Sequence, residues 1–281
     1  MKTIGLVLAG GMGSRLYPAT LFQSKQILPV YDKPMIYYPM SVLIEIGIRD
    51  FIIIIKKQDL NVFKKLDFLK KFNLNIKYVI QNKPNGIAEV FILTKKYIKN
   101  NNTCLILGDN LFHGNNLIEI LVNAKEKLQN NNSAQIFANY VKNPSNYGVI
   151  EFEKNHKIIR IIEKPKKTNS NYAIPGIYFF PQDVIDKVKL LKPSKRNELE
   201  IVDLQTIYLK ENRLSVNIFD KNTVWFDTGT IDSLNQASSF VQSIENRHGI
   251  KIGAIEEVCY RNNLIKRKEY LEYLKKFKNI K

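Results

Sequence analysis

The first 140 residues alternate short apolar runs with longer segments in which apolar residues recur at helical spacing. This alternation constrains the fold most, because successive parallel strands need helical connections, and those helices cover both faces of the sheet. Strands are predicted at 3–9, 51–55, 75–80, 103–107 and 134–140, and helices at 35–46, 60–71, 87–99 and 117–128. The pattern predicts an α/β fold, a Rossmann-like three-layer sandwich with a mostly parallel central sheet.

The apolar runs become more closely spaced beyond residue 140, which predicts an antiparallel addition to the sheet. Its strands are predicted at 148–153, 158–163 and 172–180. Further elements are then predicted: helices at 183–191, 201–212 and 233–246, strands at 214–219 and 224–226, and a basic helical tail at 256–281. No repeat or Pro-rich linker interrupts the chain, so we expect a single domain over 1–281.

The composition is that of an ordinary globular protein, with 44% hydrophobic and 25% charged residues. The two cysteines, Cys104 and Cys259, stand in apolar contexts and predict reduced core residues. No apolar run is long enough for a membrane span, so we expect a cytoplasmic protein without a membrane partner. The net charge of +17 favours anionic ligands, but the lysines are dispersed, so we interpret it as compositional bias and expect no nucleic-acid partner.

A glycine-rich loop follows the first predicted strand, with the sequence Leu8-Ala9-Gly10-Gly11-Met12-Gly13-Ser14-Arg15. Glycines at the carboxyl end of a parallel strand let the backbone turn tightly and bring N–H groups close to a phosphate. The spacing fits neither a Walker loop nor a dinucleotide fingerprint, and alone it also fits a structural turn. Lys25 lies in the long loop that follows. Together with Arg15 it provides two cations suited to a triphosphate.

Many separate motifs, in the same order along the chain, resemble the sugar-phosphate nucleotidyltransferases, and among them the glucose-1-phosphate thymidylyltransferases. The resemblance covers residues 3 to about 262. Its motifs are the glycine loop, residues 24–29, Tyr31-Asp32-Lys33-Pro34-Met35, Pro84-Asn85-Gly86-Ile87-Ala88, Leu107-Gly108-Asp109-Asn110, Tyr147-Gly148-Val149, Glu163-Lys164-Pro165 and Trp225-Phe226-Asp227-Thr228-Gly229.

The resemblance implies a reaction in which a phosphate oxygen of glucose 1-phosphate attacks the α-phosphorus of dTTP and pyrophosphate leaves. That oxygen is already anionic, so catalysis requires positioning and cations rather than a general base. The histidines His113, His156 and His248 are given no role. By resemblance Asp109 and Asp227 bind Mg²⁺ and act with Arg15 and Lys25 in catalysis. From the residues alone, each aspartate is equally suited to a turn or a helix cap.

The resemblance also assigns substrate contacts. The nucleotide would be bound within 1–140 by Leu8, Gly10, Gly11, Gly13, Ser14, Arg15, Lys25, Gln26, Gln81, Gly86 and Asp109. Gln26 and Gln81 would bind the thymine edge, and Gly86 would leave room for the base. The sugar phosphate would be bound within 141–232, together with Asn110, by Tyr147, Gly148, Glu163, Lys164, Ile174, Tyr178 and Arg196. Residues 233–281 form a C-terminal helical part, and relatives imply a homotetramer.

Three positions depart from the family pattern. Glu89 replaces a usual Gln, Pro175 a usual Thr and Asn197 a usual Gly, and the sequence diverges after Arg261. The favoured function is synthesis of dTDP-glucose for dTDP-sugars such as dTDP-rhamnose, and for surface polysaccharides. Two alternatives remain open: the same chemistry with UTP, and a catalytically weak protein that binds nucleotide sugars.

Overall fold

The computed structural model describes residues 1–153 and 157–278. Its strands are β1 Thr3–Leu8, β2 Pro29–Val30, β3 Lys33–Pro34, β4 Asp50–Ile55, β5 Asn75–Ile80, β6 Asn102–Leu107, β7 Asn110–His113, β8 Ala134–Tyr140, β9 Gly148–Phe152, β10 Ile158–Glu163, β11 Tyr172–Ala173, β12 Ile177–Phe180, β13 Leu214–Ile218 and β14 Val224–Asp227. Its helices are α1 Tyr37–Glu45, α2 Leu60–Phe63, α3 Glu89–Leu93, α4 Lys95–Ile98, α5 Leu117–Asn131, α6 Val184–Val188, α7 Ile201–Lys210, α8 Ile231–His248, α9 Ile255–Arg261 and α10 Arg267–Lys278.

Ten strands form the central sheet, in the order β10-β9-β11-β8-β12-β6-β1-β4-β5, with β13 paired to β8. β6, β1, β4 and β5 are mutually parallel, whereas β12 lies antiparallel between β6 and β8. Apolar side chains pack on both faces, against α1, α5 and α9 on one side and α3, α6 and α7 on the other. The predicted three-layer α/β fold with an antiparallel addition is therefore confirmed.

The segment predicted as one strand over 172–180 is in fact two strands, β11 and β12. Pro175, which lacks a backbone N–H, lies in the break between them. The chain changes neighbours there: the Ile174 N–H donates to the Gly148 carbonyl, while the Gly176 carbonyl accepts from the Leu107 N–H. This crossing joins the antiparallel addition to the edge of β6.

Two predicted helices are irregular. In the segment predicted as a helix over 60–71, α2 gives way to a 3₁₀ helix over Lys64–Phe72, whose buried residues Leu66, Leu69 and Phe72 recur every third position and match its three-residue turn. The helix predicted over 87–99 is interrupted at Thr94, whose hydroxyl donates to the Val90 carbonyl. The predicted tail helix is two helices, α9 and α10, and its last three residues lie outside the described residues, as does His156.

Two small sheets were not predicted. β2 pairs with β3, and β7 pairs antiparallel with β14, with Asn110 opposite Asp227. The β7–β14 pair extends from the carboxyl end of β6, because only Gly108 and Asp109 separate β6 from β7. It therefore brings residues more than 100 positions apart to one edge of the central sheet. Within the described residues, no helix is both long and apolar enough to cross a bilayer.

Candidate active site

The glycine loop continues from the carboxyl end of β1 and packs against the segment that carries Lys25. Gly13 has a φ of 65°, in the left-handed region, and precedes the 3₁₀ turn Ser14–Leu16. A β-carbon at Gly13 would lie 2.9 Å from the Thr20 methyl carbon and 3.1 Å from Cβ of Lys25. Glycine is therefore required here both by backbone conformation and by space.

Gln26 and Gln81, the two residues predicted to contact the base, have their side-chain amides next to this loop. A β-carbon at Gly10 would be 2.6 Å from Oε1 of Gln81, and one at Gly11 would be 4.0 Å from Nε2 of Gln26. Both amide side chains are buried, with exposures of 4% and 2%. The structure thus brings Gln26 and Gln81 together beside the predicted phosphate loop.

A buried ion pair lies next to the loop. The Lys25 ammonium contacts Asp109, and the lysine is only 7% exposed. Asn110 Nδ2 donates to the other carboxylate oxygen of Asp109 at 2.9 Å. The Asp109 carbonyl accepts from the N–H and hydroxyl of Thr228, at 3.0 and 2.7 Å. These contacts fix the end of β6 to the end of β14.

Asp227 completes a cluster of two acids and two cations. Its carboxylate lies 4.0 Å from the guanidinium of Arg15. Burial raises the pKa of Asp227 and the nearby Asp109 raises it further, whereas the charges of Lys25 and Arg15 act in the opposite direction. The site therefore favours an additional positive charge near Asp227, which would stabilise its ionised form.

A cavity of about 200 Å³ opens beside this cluster. Its lining includes Arg15, Asp109 and Asp227 together with seven of the eight predicted sugar-phosphate residues, namely Asn110, Tyr147, Gly148, Glu163, Lys164, Ile174 and Tyr178. Within the described residues, the phosphate-side charges and the predicted sugar contacts thus share one opening.

Trp225 also lines the cavity, although it was given no role from the sequence. Its Nε1–H donates to Oδ1 of Asn110 at 2.7 Å, and its ring lies 4.8 Å from that of Tyr147. The same Asn110 oxygen accepts from the Gly176 N–H at 3.0 Å. The signal was present in the sequence, because Trp225 is two residues before Asp227 in a quoted motif. Its side-chain direction depends on the unpredicted β7–β14 pair.

Arg196 does not join the sugar-phosphate residues that line this cavity. Its guanidinium is bound by three carboxylates, Glu163 at 3.1 Å, Glu198 at 3.4 Å and Glu200 at 2.7 Å. Arg196 is therefore connected to the cavity by its ion pair with Glu163, which lines it. A contact between Arg196 and the sugar phosphate remains a prediction. The neighbouring Asn197 has a φ of 58°, a left-handed conformation that Asn tolerates better than most residues. This explains how Asn replaces a usual Gly there.

Gly86 has a structural role that the sequence did not indicate. Its φ is 106°, and a β-carbon would lie 2.3 Å from the Leu199 carbonyl oxygen. The Leu199 N–H donates to the Asn85 carbonyl, and the Leu199 carbonyl accepts from the Ala88 N–H. Close packing against the Leu199 backbone is thus sufficient to explain the absence of a side chain at Gly86. A nucleotide contact at Gly86 stays a prediction.

A larger cavity, of about 770 Å³, lies between the 3₁₀ helix Lys64–Phe72 and α10. It is lined by Tyr37, Phe68, Tyr270 and Tyr273 among others, and none of the predicted site residues contributes to it. The chemistry is therefore assigned to the smaller, charged cavity at the carboxyl ends of the parallel strands.

The donor atoms at the smaller cavity suit a hard divalent cation. Asp109 and Asp227 both present carboxylates to it, and oxygen ligands are those that Mg²⁺ prefers. Among the described residues, no group of three or more His, Cys, Asp or Glu side chains could enclose a metal. Substrate phosphate oxygens and water would therefore complete the coordination, as is usual for Mg²⁺ at phosphoryl-transfer sites.

Comparisons with known proteins agree with this arrangement. A protein named glucose-1-phosphate thymidylyltransferase from Neisseria meningitidis is 44% identical over 259 residues, or 92% of this chain and 89% of that protein. A crystal structure assigned to a glucose-1-phosphate thymidylyltransferase of Bacillus anthracis, in complex with sucrose, has a TM-score of 0.77 and 36% identity, covering 85% of this chain and 94% of that one.

A solved UDP-glucose pyrophosphorylase with bound UDP-glucose has a TM-score of 0.75 and 25% identity, and covers 86% of this chain and 99% of that one. A family model for nucleotidyl transferases matches residues 4–244, which include the glycine loop, both aspartates and all of the central sheet except the first residue of β1. The resemblance predicted from the motifs is thus confirmed, and the chain belongs to the nucleotidyl transferase family.

Proposed function

We propose that the protein is a glucose-1-phosphate thymidylyltransferase, which forms dTDP-glucose and pyrophosphate from dTTP and glucose 1-phosphate. The observation that carries the proposal is the juxtaposition of Lys25, Asp109, Asp227 and Arg15 between the glycine loop and the sugar-side cavity. The identity to the Neisseria meningitidis protein supports this choice of substrates.

In this proposal the residues act by positioning and by electrostatics. N–H groups of the loop Gly10–Gly13 bind the triphosphate, while Arg15 and Lys25 offset the charges of the two reacting phosphates. Asp109 and Asp227 would hold Mg²⁺, which as a Lewis acid stabilises charge on the phosphate oxygens. The phenol of Tyr147 stays protonated as a hydrogen-bond donor, because burial and the nearby Asp227 raise its pKa.

The test is a pyrophosphate-release assay with Mg²⁺, glucose 1-phosphate and each nucleoside triphosphate in turn. We expect dTTP to be used with the highest kcat/KM, and Asp109→Asn to abolish most turnover with an unchanged fold. Asp186→Asn is the matched control, because the Asp186 side chain is 76% exposed and pairs with the surface residue Lys189. Near-normal turnover by Asp109→Asn in Mg²⁺ would contradict the ligand role.

UTP is the second candidate nucleotide, and the structural similarity to a UDP-glucose pyrophosphorylase favours including it. Equal or better turnover with UTP than with dTTP would replace the thymidine assignment. Binding of nucleotide sugars without pyrophosphate release from any triphosphate would instead indicate a catalytically weak binding protein.

The proposal extends to the cellular setting. The product would supply dTDP-sugar synthesis, such as that of dTDP-rhamnose, in the cytoplasm, and the buried unpaired thiols of Cys104 and Cys259 suit a reducing compartment. A homotetramer is proposed from the family resemblance. Analytical ultracentrifugation of the purified protein tests it, and a monomer across the micromolar range would exclude it.

A further inference from the structure

The side chain of Asn110 is held by two hydrogen-bond donors at the wall of the smaller cavity. Nε1–H of Trp225 donates to its Oδ1 at 2.7 Å, and the Gly176 N–H donates to the same oxygen at 3.0 Å. Asn110 is only 2% exposed, so both hydrogen bonds are shielded from water. One end of this amide therefore has two fixed partners.

The two donors determine which way the Asn110 amide faces. An indole N–H and a backbone N–H can only donate, so the side-chain atom between them must be the amide oxygen. The NH₂ group then faces the other way, and Nδ2 donates to Oδ1 of Asp109 at 2.9 Å. A reversed amide would place N–H groups against Trp225 and Gly176, and an oxygen against a carboxylate. The indole N–H thus helps to ensure that Asp109 receives a donor.

The β7–β14 pair brings Trp225 within reach of Asn110. Asn110 is opposite Asp227 and Trp225 is opposite Phe112, so Trp225 is the diagonal neighbour of Asn110. Diagonal neighbours on one face of an antiparallel pair lie about 7–8 Å apart, which a long aromatic side chain can span. Trp225 and Asp227, two residues apart, both line the cavity. The same strand therefore carries one predicted metal ligand and a residue that orients the neighbour of the other.

Each carboxylate oxygen of Asp109 has its own donor. The Lys25 ammonium contacts Oδ2, and the Asn110 amide is bonded to Oδ1. In the proposed mechanism the charge of Lys25 acts on the phosphates, so its contact with Asp109 is partly exchanged for substrate. The Asn110 amide is neutral and buried, and it keeps its own partners whether or not substrate is bound. It can therefore hold the carboxylate in one orientation throughout.

We propose that Trp225 is a positioning residue for the metal ligand Asp109: its indole N–H fixes the Asn110 amide, which holds the Asp109 carboxylate in the orientation that binds the divalent cation. The inference rests on the proposed function, since it takes Asp109 as a ligand. Removing a partner one step behind a metal ligand typically lowers metal affinity or activity by about 10-fold to 100-fold. A ring that only touched the sugar would instead affect binding of glucose 1-phosphate and leave metal binding unchanged.

The test replaces Trp225 with phenylalanine, which keeps an aromatic ring beside Tyr147 but removes the N–H. The probe is Mn²⁺ alone, a divalent cation that also prefers oxygen ligands. We expect its dissociation constant, measured by electron paramagnetic resonance without nucleotide, to rise about tenfold in Trp225→Phe. In the pyrophosphate-release assay, the Mg²⁺ concentration for half-maximal turnover should rise by the same factor, with a smaller change in KM for glucose 1-phosphate.

Asn110→Ala tests whether the effect passes through the amide. This variant alone should weaken Mn²⁺ binding by about tenfold or more, and adding Trp225→Phe to it should have no further effect. The same loss from Trp225→Phe in both backgrounds would overturn the inference, because the indole would then act without Asn110.

Tyr208→Phe is the matched control, because it also removes a hydrogen-bond donor from an aromatic side chain and keeps the ring. The Tyr208 hydroxyl donates to Oδ1 of Asp183 at 2.9 Å, and neither residue lines the cavity. Tyr208 is fully buried, so the change should lower the melting temperature but leave Mn²⁺ binding and the Mg²⁺ dependence unchanged. Equally weakened Mn²⁺ binding in Tyr208→Phe would mean that a general loss of stability explains the effect, and the inference would fail.

The Mn²⁺ comparison does not depend on turnover. A wild type that binds Mn²⁺ but releases no pyrophosphate would refute the proposed function, while the ratio of dissociation constants would still decide the role of Trp225. Equal Mn²⁺ binding by the wild type and Trp225→Phe, or no binding by the wild type, would overturn the inference. A change confined to KM for glucose 1-phosphate would do the same, since it would make Trp225 a sugar contact only.

Discussion

Among single residues, Lys25 carries the clearest electrostatic role, because its buried ammonium lies between two carboxylates and the glycine loop. We expect Lys25→Ala to lower kcat by about 100-fold to 1000-fold with a smaller change in KM, since its charge is needed most when the α-phosphorus is five-coordinate. Steady-state kinetics with dTTP and glucose 1-phosphate measure this.

The matched control for Lys25→Ala is Lys2→Ala, which removes a lysine paired with Asp50 at the opposite end of β1. The Lys2 side chain is 56% exposed, so its removal should change neither kcat nor KM. If Lys25→Ala raised KM and left kcat unchanged, Lys25 would contribute only to binding of the ground-state substrate.

Ionisation of Asp227 should make the stability of the fold depend on pH. Its folded-state pKa is raised above the ordinary 3.8 by burial and by Asp109. Between those two values the folded state binds more protons than the unfolded state, so this contribution to stability decreases as pH rises through the interval. We therefore expect Asp227→Asn to melt a few degrees higher than the wild type at pH 7, without ligands, although it loses turnover.

The difference in melting temperature should vanish at pH values below that interval, where the wild-type carboxyl is neutral in both states. Asp220→Asn should behave oppositely, because the Thr223 hydroxyl and neighbouring N–H groups lower the pKa of Asp220. Thermal unfolding between pH 3.5 and 8 measures both, and a lower melting temperature for Asp227→Asn at pH 7 would contradict the cause assigned here.

The residues at the centre of the site were predictable from motifs, whereas their contacts were not. Arg15, Lys25, Asp109 and Asp227 were identified from the sequence. The hydrogen bonds of Glu89 and the enclosure of Arg196 by three acids depend on side-chain directions that no sequence spacing specifies. Glu89, which replaces a usual Gln, accepts hydrogen bonds from two amides at the edge of the loop.

Among the connections between secondary-structure elements, the loop between β5 and α3 requires glycine at position 86 for its conformation. We expect Gly86→Ala to lower the free energy of unfolding by more than about 2 kcal/mol, because a β-carbon adds overlap with Leu199 to the strain of a positive φ. Gly249→Ala, at the end of α8, provides the control. Its φ is also positive, at 67°, but nothing lies within 4 Å of the added carbon.

Urea denaturation of both glycine variants separates the two effects. Gly249→Ala should lose only about 1 kcal/mol, the conformational term alone. An equal decrease in the free energy of unfolding in Gly86→Ala and Gly249→Ala would show that Leu199 moves aside without penalty. The rigidity assigned to this loop would then be wrong.

Secondary structure was predictable for the strands of the parallel part of the sheet, but not for the short strands β2, β3 and β7. The sequence pattern predicted the bounds of α5 and of five strands in the first 140 residues to within a few residues. These strands are β1, β4, β5, β6 and β8. The four-residue strand β7 was not predicted, because it follows β6 after only Gly108 and Asp109. Its partner strand, β14, is more than 100 residues away in the sequence. The break at Pro175 was visible in the sequence, but the change of neighbouring strands there was not.

For the whole molecule, a buried cluster of charges joins the C-terminal helical part to the N-terminal part. Glu245 of α8, with a side chain 2% exposed, binds Lys33 of β3 at 2.9 Å, Lys251, and the Ile252 N–H at 3.0 Å. We expect Glu245→Ala to lower the free energy of unfolding by about 3 kcal/mol, because the buried ammonium of Lys33 loses its buried carboxylate partner and retains Asp32, whose side chain is 37% exposed.

Lys251→Ala is the control for the same cluster, since this lysine is half exposed and should lose no more than about 1 kcal/mol. Chemical denaturation followed by both fluorescence and circular dichroism measures the two variants. A loss in Glu245→Ala no larger than that in Lys251→Ala would show that the helical part is held by apolar packing alone. This cluster was not predictable, because the order of charged residues along the chain does not reveal which of them are buried.

The β7–β14 ladder has a consequence for how this architecture tolerates change. Asp227 stands across from the neighbour of Asp109, so their separation is set by hydrogen bonds between two short strands and not by the chain that joins them. Insertions or deletions in loops between residues 114 and 223 would leave the two acids in register. The segments proposed to bind the sugar can therefore diversify in length while the two acids keep the same geometry.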